Sequence, residues 1–201
     1  MKRQKNSKPG ITGACLCVKG NVRDNNEDNF YFAGEYLESE NDGMKEALKR
    51  SLENDPEKIP GVFFAVFDGM GGAQYGEIAA HEAAVCTEAF LDHVKESGSC
   101  DGTPMLRKLC DKINEEVFRA GEEKVAPKMG TTMAALYFHG NNVWSCNVGD
   151  SRCYRLRDGV LERLSEDHVE ELYYIDKINQ KKKPGLVMPV HATCFCFFFH
   201  V

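Results

Sequence analysis

Gly61-Val-Phe-Phe-Ala-Val-Phe-Asp-Gly-Met-Gly-Gly72 is the stretch on which the fold turns. Residues 61–67 are continuously apolar, aromatic and β-branched, and the run is too short for a helix. It reads as a strand buried on both faces. Asp68-Gly69 stops it, and a glycine-rich turn follows over 69–72. This ending puts a carboxylate at the C-terminal edge of a buried strand. It also allows close backbone approach, because glycine has no Cβ in the way. A hard divalent cation takes oxygens from carboxylates and backbone carbonyls, and Asp68 with the Gly69 carbonyl offers both. Taken alone, the same residues also make a strand-end turn with an Asx hydrogen bond.

Upstream of this strand, residues 11–19 read as a first strand. Residues 20–28 are polar and turn-rich, and Phe30, Tyr31 and Phe32 suggest a second strand ended near Gly34. Residues 38–58 are mostly charged. Met44, Ala47, Leu48 and Leu52 keep a helical spacing there, which predicts a short surface helix in an insertion. Downstream, 75–96 reads as a helix with Ile78, Ala79, Val85, Cys86, Phe90 and Val94 on its apolar side. Thr103 and Pro104 suit the N-cap and first position of a second helix, whose stripe is Leu106, Leu109, Cys110, Ile113, Val117 and Phe118. Strand patterns then return over 131–138, 143–148, 152–157 and 160–164. Asp158-Gly159 between the last two is a hairpin signal. Strands, two helices and an antiparallel meander, in that order, predict an α+β layer fold.

Two other stretches gather chemistry. Arg23-Asp-Asn-Asn-Glu-Asp28 sets three acids and an arginine within six residues, between two strands. Glu27 and Asp28 could give oxygens to a metal or its waters, and Arg23 could clamp a phosphate through its fork of N–H donors. Alone, the segment also reads as a solvated loop with local pairing. Asn147-Val-Gly-Asp-Ser-Arg152 places Asp150 and Arg152 at a break between strands, which is alone a β-turn with a surface ion pair. Gly130-Thr131-Thr132 opens the meander and is by itself an ordinary strand start.

In their order along the chain these pieces resemble the metal-dependent protein phosphatases, the PPM or type 2C family. The resemblance rests on Gly20-x-x-Arg23 with Asn26-Glu27-Asp28, on Val66-Phe67-Asp68-Gly69-Met70-Gly71-Gly72 with Gly76-Glu77, and on Gly130-Thr131-Thr132. It continues through Val148-Gly149-Asp150-Ser151-Arg152 and Leu164-Ser165-x-Asp167-His168. It implies a β-sandwich of two antiparallel sheets flanked by helices, with a centre for two Mg²⁺ or Mn²⁺ ions at one end. It also implies hydrolysis of phosphoserine or phosphothreonine on protein substrates. By the same resemblance Asp68 would bridge the two metals and the Gly69 carbonyl would bind one. Glu27 would reach the other directly or through water, Asp28 would order metal waters, and Arg23 would hold the phosphate. Asp150 would serve a weaker additional metal site. Met70 stands where many eukaryotic members have a histidine, and bacterial members also carry Met. No cysteine sits in a glycine-rich loop closed by an arginine, so a phosphoenzyme on sulfur is not expected.

The resemblance covers residues 11 to 168. The family's two later acidic motifs are not found in 169–201, where Asp176 is the single aspartate. The expectation is therefore a basic, disordered arm over 1–10, the N-terminal part of the phosphatase domain over 11–168, and a divergent tail over 169–201. The fold would be incomplete. A truncated, non-catalytic phosphatase-like binding module is the alternative function.

A net charge of −6 disfavours a phosphate backbone as partner, so nucleic acid is not expected. No run of 18 apolar residues predicts a membrane span, and no secretory leader is evident. The nine cysteines lack paired C-x-x-C spacing and suggest idle thiols in a reducing compartment, cytoplasmic or nuclear. A monomer acting on phosphoproteins is the expected state.

Overall fold

The computed structural model describes residues 10–21, 23–70, 75–98, 101–126 and 128–168. Of the arm read over 1–10 only Gly10 is described, where it opens the first strand rather than a disordered arm, and the tail over 169–201 lies outside these residues, as do Gly71 and Gly72. The framework is an antiparallel sheet of β2 (Asp28–Phe32), β4 (Val62–Asp68), β5 (Met133–His139) and β6 (Asn142–Val148), in the order β2-β4-β5-β6. Strand alternation divides β4 between two cores. Phe63, Ala65 and Phe67 face one core, which is filled by Tyr31, Met133, Ala135, Tyr137 and the buried faces of two helices. Phe64 faces the other with Phe30, Phe32 and Phe138, under Ile11, Cys15 and Cys17. The apolar run is thus covered on both sides, as its composition requires. Each fully buried phenylalanine is worth about 1.5–3 kcal/mol of transfer free energy. Phe32 and Phe64 are also direct cross-strand partners, with rings stacked 4.8 Å apart.

The second layer is the pair β1 (Gly10–Cys15) and β3 (Leu48–Glu53). Ile11 pairs with Leu52 and Cys15 with Leu48, and all four side chains contribute to the inter-sheet core. The surface helix predicted within 38–58 is therefore corrected to a strand. Leucines four residues apart lie on one face of a helix, but positions i and i+4 also share a face of a strand. Pairing with β1 decides for the strand.

Helix α1 (Gly76–Ser97) and helix α2 (Gly102–Glu123) pack on the opposite face of the sheet. The buried side of α1 is mainly Ala79, Ala80, Ala83, Ala84, Thr87, Leu91 and Val94. Val85 and Phe90 of the predicted stripe are only half-buried. Small side chains let the helix axis approach the sheet and α2 closely, so alanine takes the most covered positions. The buried Thr87 hydroxyl is satisfied by donating to the Ala83 carbonyl at 2.8 Å. Gly98 ends α1 in the left-handed region at φ 70°, its N–H bonded to the Val94 carbonyl.

Helix α2 begins after Asp101, two residues before the predicted Thr103 cap. Its stripe holds at Leu106, Leu109, Ile113 and Val117, with Cys110 half-buried, but Phe118 is 65% exposed. Residue 118 is rotated about 100° from Val117, off the buried stripe. Beyond β6, β7 (Tyr154–Arg157) and β8 (Val160–Arg163) form the predicted hairpin. Asp158 and Gly159 both have positive φ, 52° and 77°, the signature of a type I′ turn. No helix among the described residues is long and apolar enough to cross a membrane.

Candidate metal centre

The register of β2 against β4 builds the site. Asp28 is the Cα partner of Asp68 at the end of the ladder. The Gly69 N–H donates to the Glu27 carbonyl at 3.0 Å, one residue outside that pair on each strand. Asp28 and Asp68 therefore form a pair without mutual backbone hydrogen bonds, the kind in which side chains come closest. Both carboxylates project on the same side as Phe30, Val66 and Phe64, at one end of the inter-sheet layer. A cavity of about 20 Å³ lies there, lined by Asp28, Asp68, Cys15, Cys17, Phe30 and Ser151 among others.

Electrostatics shows what this closeness costs. Asp68 is buried and Asp28 half-buried. Burial first, then the Asp68 charge and a hydrogen bond to Asp68, push the Asp28 carboxyl up to about 7. The pair resists holding two negative charges unless a proton or a cation lies between them. Glu27 is raised as well, by burial, with Arg23 opposing and Glu77 adding to the shift. Glu77 enters from the first turn of α1, and its carboxylate accepts from the Asn25 amide at 3.3 Å. Arg23 donates to the Glu27 carboxylate, so the two residues expected to hold phosphate and metal hold each other here.

Glycines set the spacing. A Cβ on Gly69 would overlap the carbonyl oxygens of Gly76 and Glu27. The chain entering α1 and the loop before β2 therefore both press on the residue after Asp68. On the far side the Met70 N–H donates to the Gly130 carbonyl at 3.0 Å, and the Thr132 N–H donates to the Asp68 carbonyl at 2.9 Å. In an extended strand a residue's N–H and C=O point the same way. The Gly69 carbonyl is thus directed away from β5, to the side of Glu27 and Asp28.

Asp150 stands one residue from the next link. The Thr132 hydroxyl lies 2.5 Å from the Ser151 hydroxyl and accepts from the Asp68 N–H at 3.2 Å. The Gly149–Arg152 turn is thereby tied to the backbone of Asp68. The ion pair expected within this turn runs elsewhere. The Arg152 guanidinium grips Asp167 in a two-pronged bond, Nε to Oδ1 at 2.9 Å and Nη2 to Oδ2 at 2.5 Å, and Arg163 adds a third contact at 3.3 Å. The His168 N–H donates to the Gly149 carbonyl at 2.9 Å, and the Ser165 hydroxyl accepts from the Cys153 N–H at 3.0 Å. The Ser165-x-Asp167-His168 motif therefore clamps the Asp150 turn.

Two contributors carried no assigned role in the sequence reading. Asn26, 3% exposed, donates to Cys17 Sγ and to Asn41 Oδ1 at 2.6 Å and accepts from the Asp28 N–H at 3.3 Å, fixing the acidic loop. Glu77 is the other, and its place in the Gly76-Glu77 step was the available signal. The arrangement suits a hard cation in part. Asp28 and Asp68 face each other at a small, largely apolar cavity, and the Gly69 carbonyl points to the same side. Among the described residues, however, no group of three or more His, Cys, Asp or Glu side chains is gathered closely enough to hold a metal.

Fold and site together define an acidic centre at one end of a layered α+β frame. Residues 57–175 match the protein phosphatase 2C family, and the chain belongs to that family. It is 30% identical over 167 residues to the serine/threonine phosphatase Stp of Listeria monocytogenes, spanning 81% of this chain and 58% of Stp. It is 30% identical over 158 residues to the serine/threonine protein phosphatase PstP of Mycobacterium tuberculosis, spanning 74% of this chain and 23% of PstP. The crystal structure of M. tuberculosis PstP matches with a TM-score of 0.58 at 28% identity, covering 84% of this chain and 59% of that one. The PstP catalytic domain in complex with two manganese ions gives 0.56 at 26% identity, covering 84% and 61%. The chain thus spans less than two thirds of these relatives.

Proposed function

We propose that this chain carries the acidic half of a metal-dependent protein serine/threonine phosphatase centre, acting on phosphoserine or phosphothreonine in protein substrates. The carrying observation is the opposition of Asp28 and Asp68 in a buried, non-hydrogen-bonded register. Folding forces two like charges together there, an arrangement that a divalent cation compensates. Asp68, the Gly69 carbonyl, Glu27 and Asp28 would supply this chain's oxygens to two Mg²⁺ or Mn²⁺ ions. When bound, such ions lower the pKa of water and neutralise phosphoryl charge. Asp28 would orient water through its carboxylate. Arg23 has five donors, so it can keep Glu27 and still offer N–H groups to a phosphate. Asp150, on the clamped turn, would serve a weaker additional cation. Residues 11–168 would then correspond to the N-terminal part of the phosphatase domain. Cys15, Cys17, Cys86, Cys110, Cys146 and Cys153 are free thiols, which supports a reducing, cytoplasmic or nuclear setting.

A second reading, a non-catalytic phosphatase-like binding module, is favoured by the shortage of ligating side chains among the described residues. Calorimetric titration of Mn²⁺ into the chain, beside release of phosphate from a phosphothreonine peptide, separates the two. Metal binding and turnover, both lost in Asp68→Asn, support the enzyme. Weak metal binding with peptide retention and no turnover supports the binding module. Absence of both removes the site assignment.

A further inference from the structure

We propose that Cys110 and Cys146 form a reversible disulfide that staples α2 to β6 when the chain meets a peroxide. The two Sγ atoms lie 3.5 Å apart, although the residues are 36 positions apart in sequence and sit on different elements. Helix α2 packs against β6, so both backbones are held in place by the core around them. Closure brings the sulfurs from 3.5 Å to about 2.05 Å. Cys15 and Cys17 sit in the inter-sheet core, and Cys86 and Cys153 are buried, each with its thiol pushed up by burial. Cys110 and Cys146 are half-buried, and either thiol can donate to the other's sulfur.

The chemistry follows from that contact. The thiolate of one cysteine attacks one oxygen of hydrogen peroxide, the O–O bond breaks, and that cysteine becomes a sulfenic acid as hydroxide leaves. The sulfur of the other then attacks the sulfenic sulfur, its proton leaves with the expelled oxygen, and the S–S bond forms. Two thiols and one peroxide give one disulfide and two waters, and a dithiol reductant reverses the step. The staple would fix β6 just before the Gly149–Arg152 turn, whose Ser151 is tied through Thr132 to Asp68.

The test treats the full chain with hydrogen peroxide, blocks residual thiols, and maps digested peptides by mass with and without dithiothreitol. The expected result is a reducible cross-link between the Cys110 and Cys146 peptides. The unfolding midpoint should also rise by roughly 5–10 °C, as closing a loop of this length implies. Cys110→Ser and Cys146→Ser should each lose both effects, with Cys110→Ala and Cys146→Ala as alternatives if serine impairs folding. Recovery of the two peptides unlinked while peroxide is consumed, cross-links to other cysteines instead, or a cross-link that leaves the midpoint unchanged would each overturn the proposal. The wild-type map alone decides the first two.

Discussion

Asp28 and Asp68 face each other across β2 and β4 at a register position that gives them no backbone bonds to one another. Their opposition opposes folding when both are charged. Replacing either with asparagine should therefore stabilise the metal-free chain, on the order of 1 kcal/mol. The same change should abolish any rise in unfolding midpoint on adding Mn²⁺. Thermal melts of wild type, Asp28→Asn and Asp68→Asn, each in chelator and in Mn²⁺, check both halves. A variant that melts lower than wild type in chelator would mean the pair is not strained as described.

Gly69 should be far less replaceable than the other glycines around it. Its Cβ would meet two backbone oxygens that cannot move independently of β2 and α1. Gly69→Ala should cost about 3 kcal/mol or more, at the top of the overpacking range. At Gly130 an added Cβ meets the tip of Met70 at 2.5 Å, which can swing away, so Gly130→Ala should cost about 1 kcal/mol or less. Gly98→Ala has open space but a φ of 70°, and should cost about 1 kcal/mol from backbone conformation alone. Denaturant unfolding of the three variants gives the order directly.

The sequence was most legible where composition leaves one solution. A seven-residue apolar run closed by Asp-Gly is a buried strand with a carboxylate at its end, and β4 is that. It was least legible where one spacing fits two structures or where the partner is distant. Leu48 and Leu52 satisfy helix and strand alike, and only pairing with Ile11 and Cys15 decides. The alanines of α1 carry too little apolarity to mark the face they bury, so Val85 and Phe90 drew the stripe away from it. Glu27, Asp28 and Asp68 were each visible, but the opposition of Asp28 to Asp68 depends on strand register, which no local pattern specifies. Arg152 read as a partner for its own turn because Asp167 lies fifteen residues on.

The Arg152–Asp167 clamp should appear as acid sensitivity. Hydrogen bonding from Arg152, chiefly, with the charges of Arg152 and Arg163, holds the Asp167 carboxyl below its usual range. A carboxylate lowered in the folded state stabilises above its unfolded value, near 4, and that contribution fades as pH falls through the folded value. Asp167→Asn should therefore lower the midpoint by a few degrees at pH 7, and the gap to wild type should narrow as pH falls below the unfolded value of about 4. Melting curves between pH 2.5 and pH 7 measure it, and a gap independent of pH would exclude the charge as its cause.

Arg23 separates substrate binding from stability. Its side chain is 45% exposed and paired with Glu27, so its loss should change stability by less than about 1 kcal/mol. If it holds the substrate phosphate, Arg23→Gln should raise KM for a phosphothreonine peptide by roughly tenfold or more, the loss of one charge-assisted contact. Arg23→Lys should recover part of that, because lysine keeps the charge but loses the two-pronged fork. Mn²⁺ affinity should fall little in either variant, since Arg23 offers no oxygen. Steady-state kinetics and metal titration on the same preparations distinguish the outcomes: a loss of metal affinity with KM unchanged would assign Arg23 to the positioning of Glu27 instead.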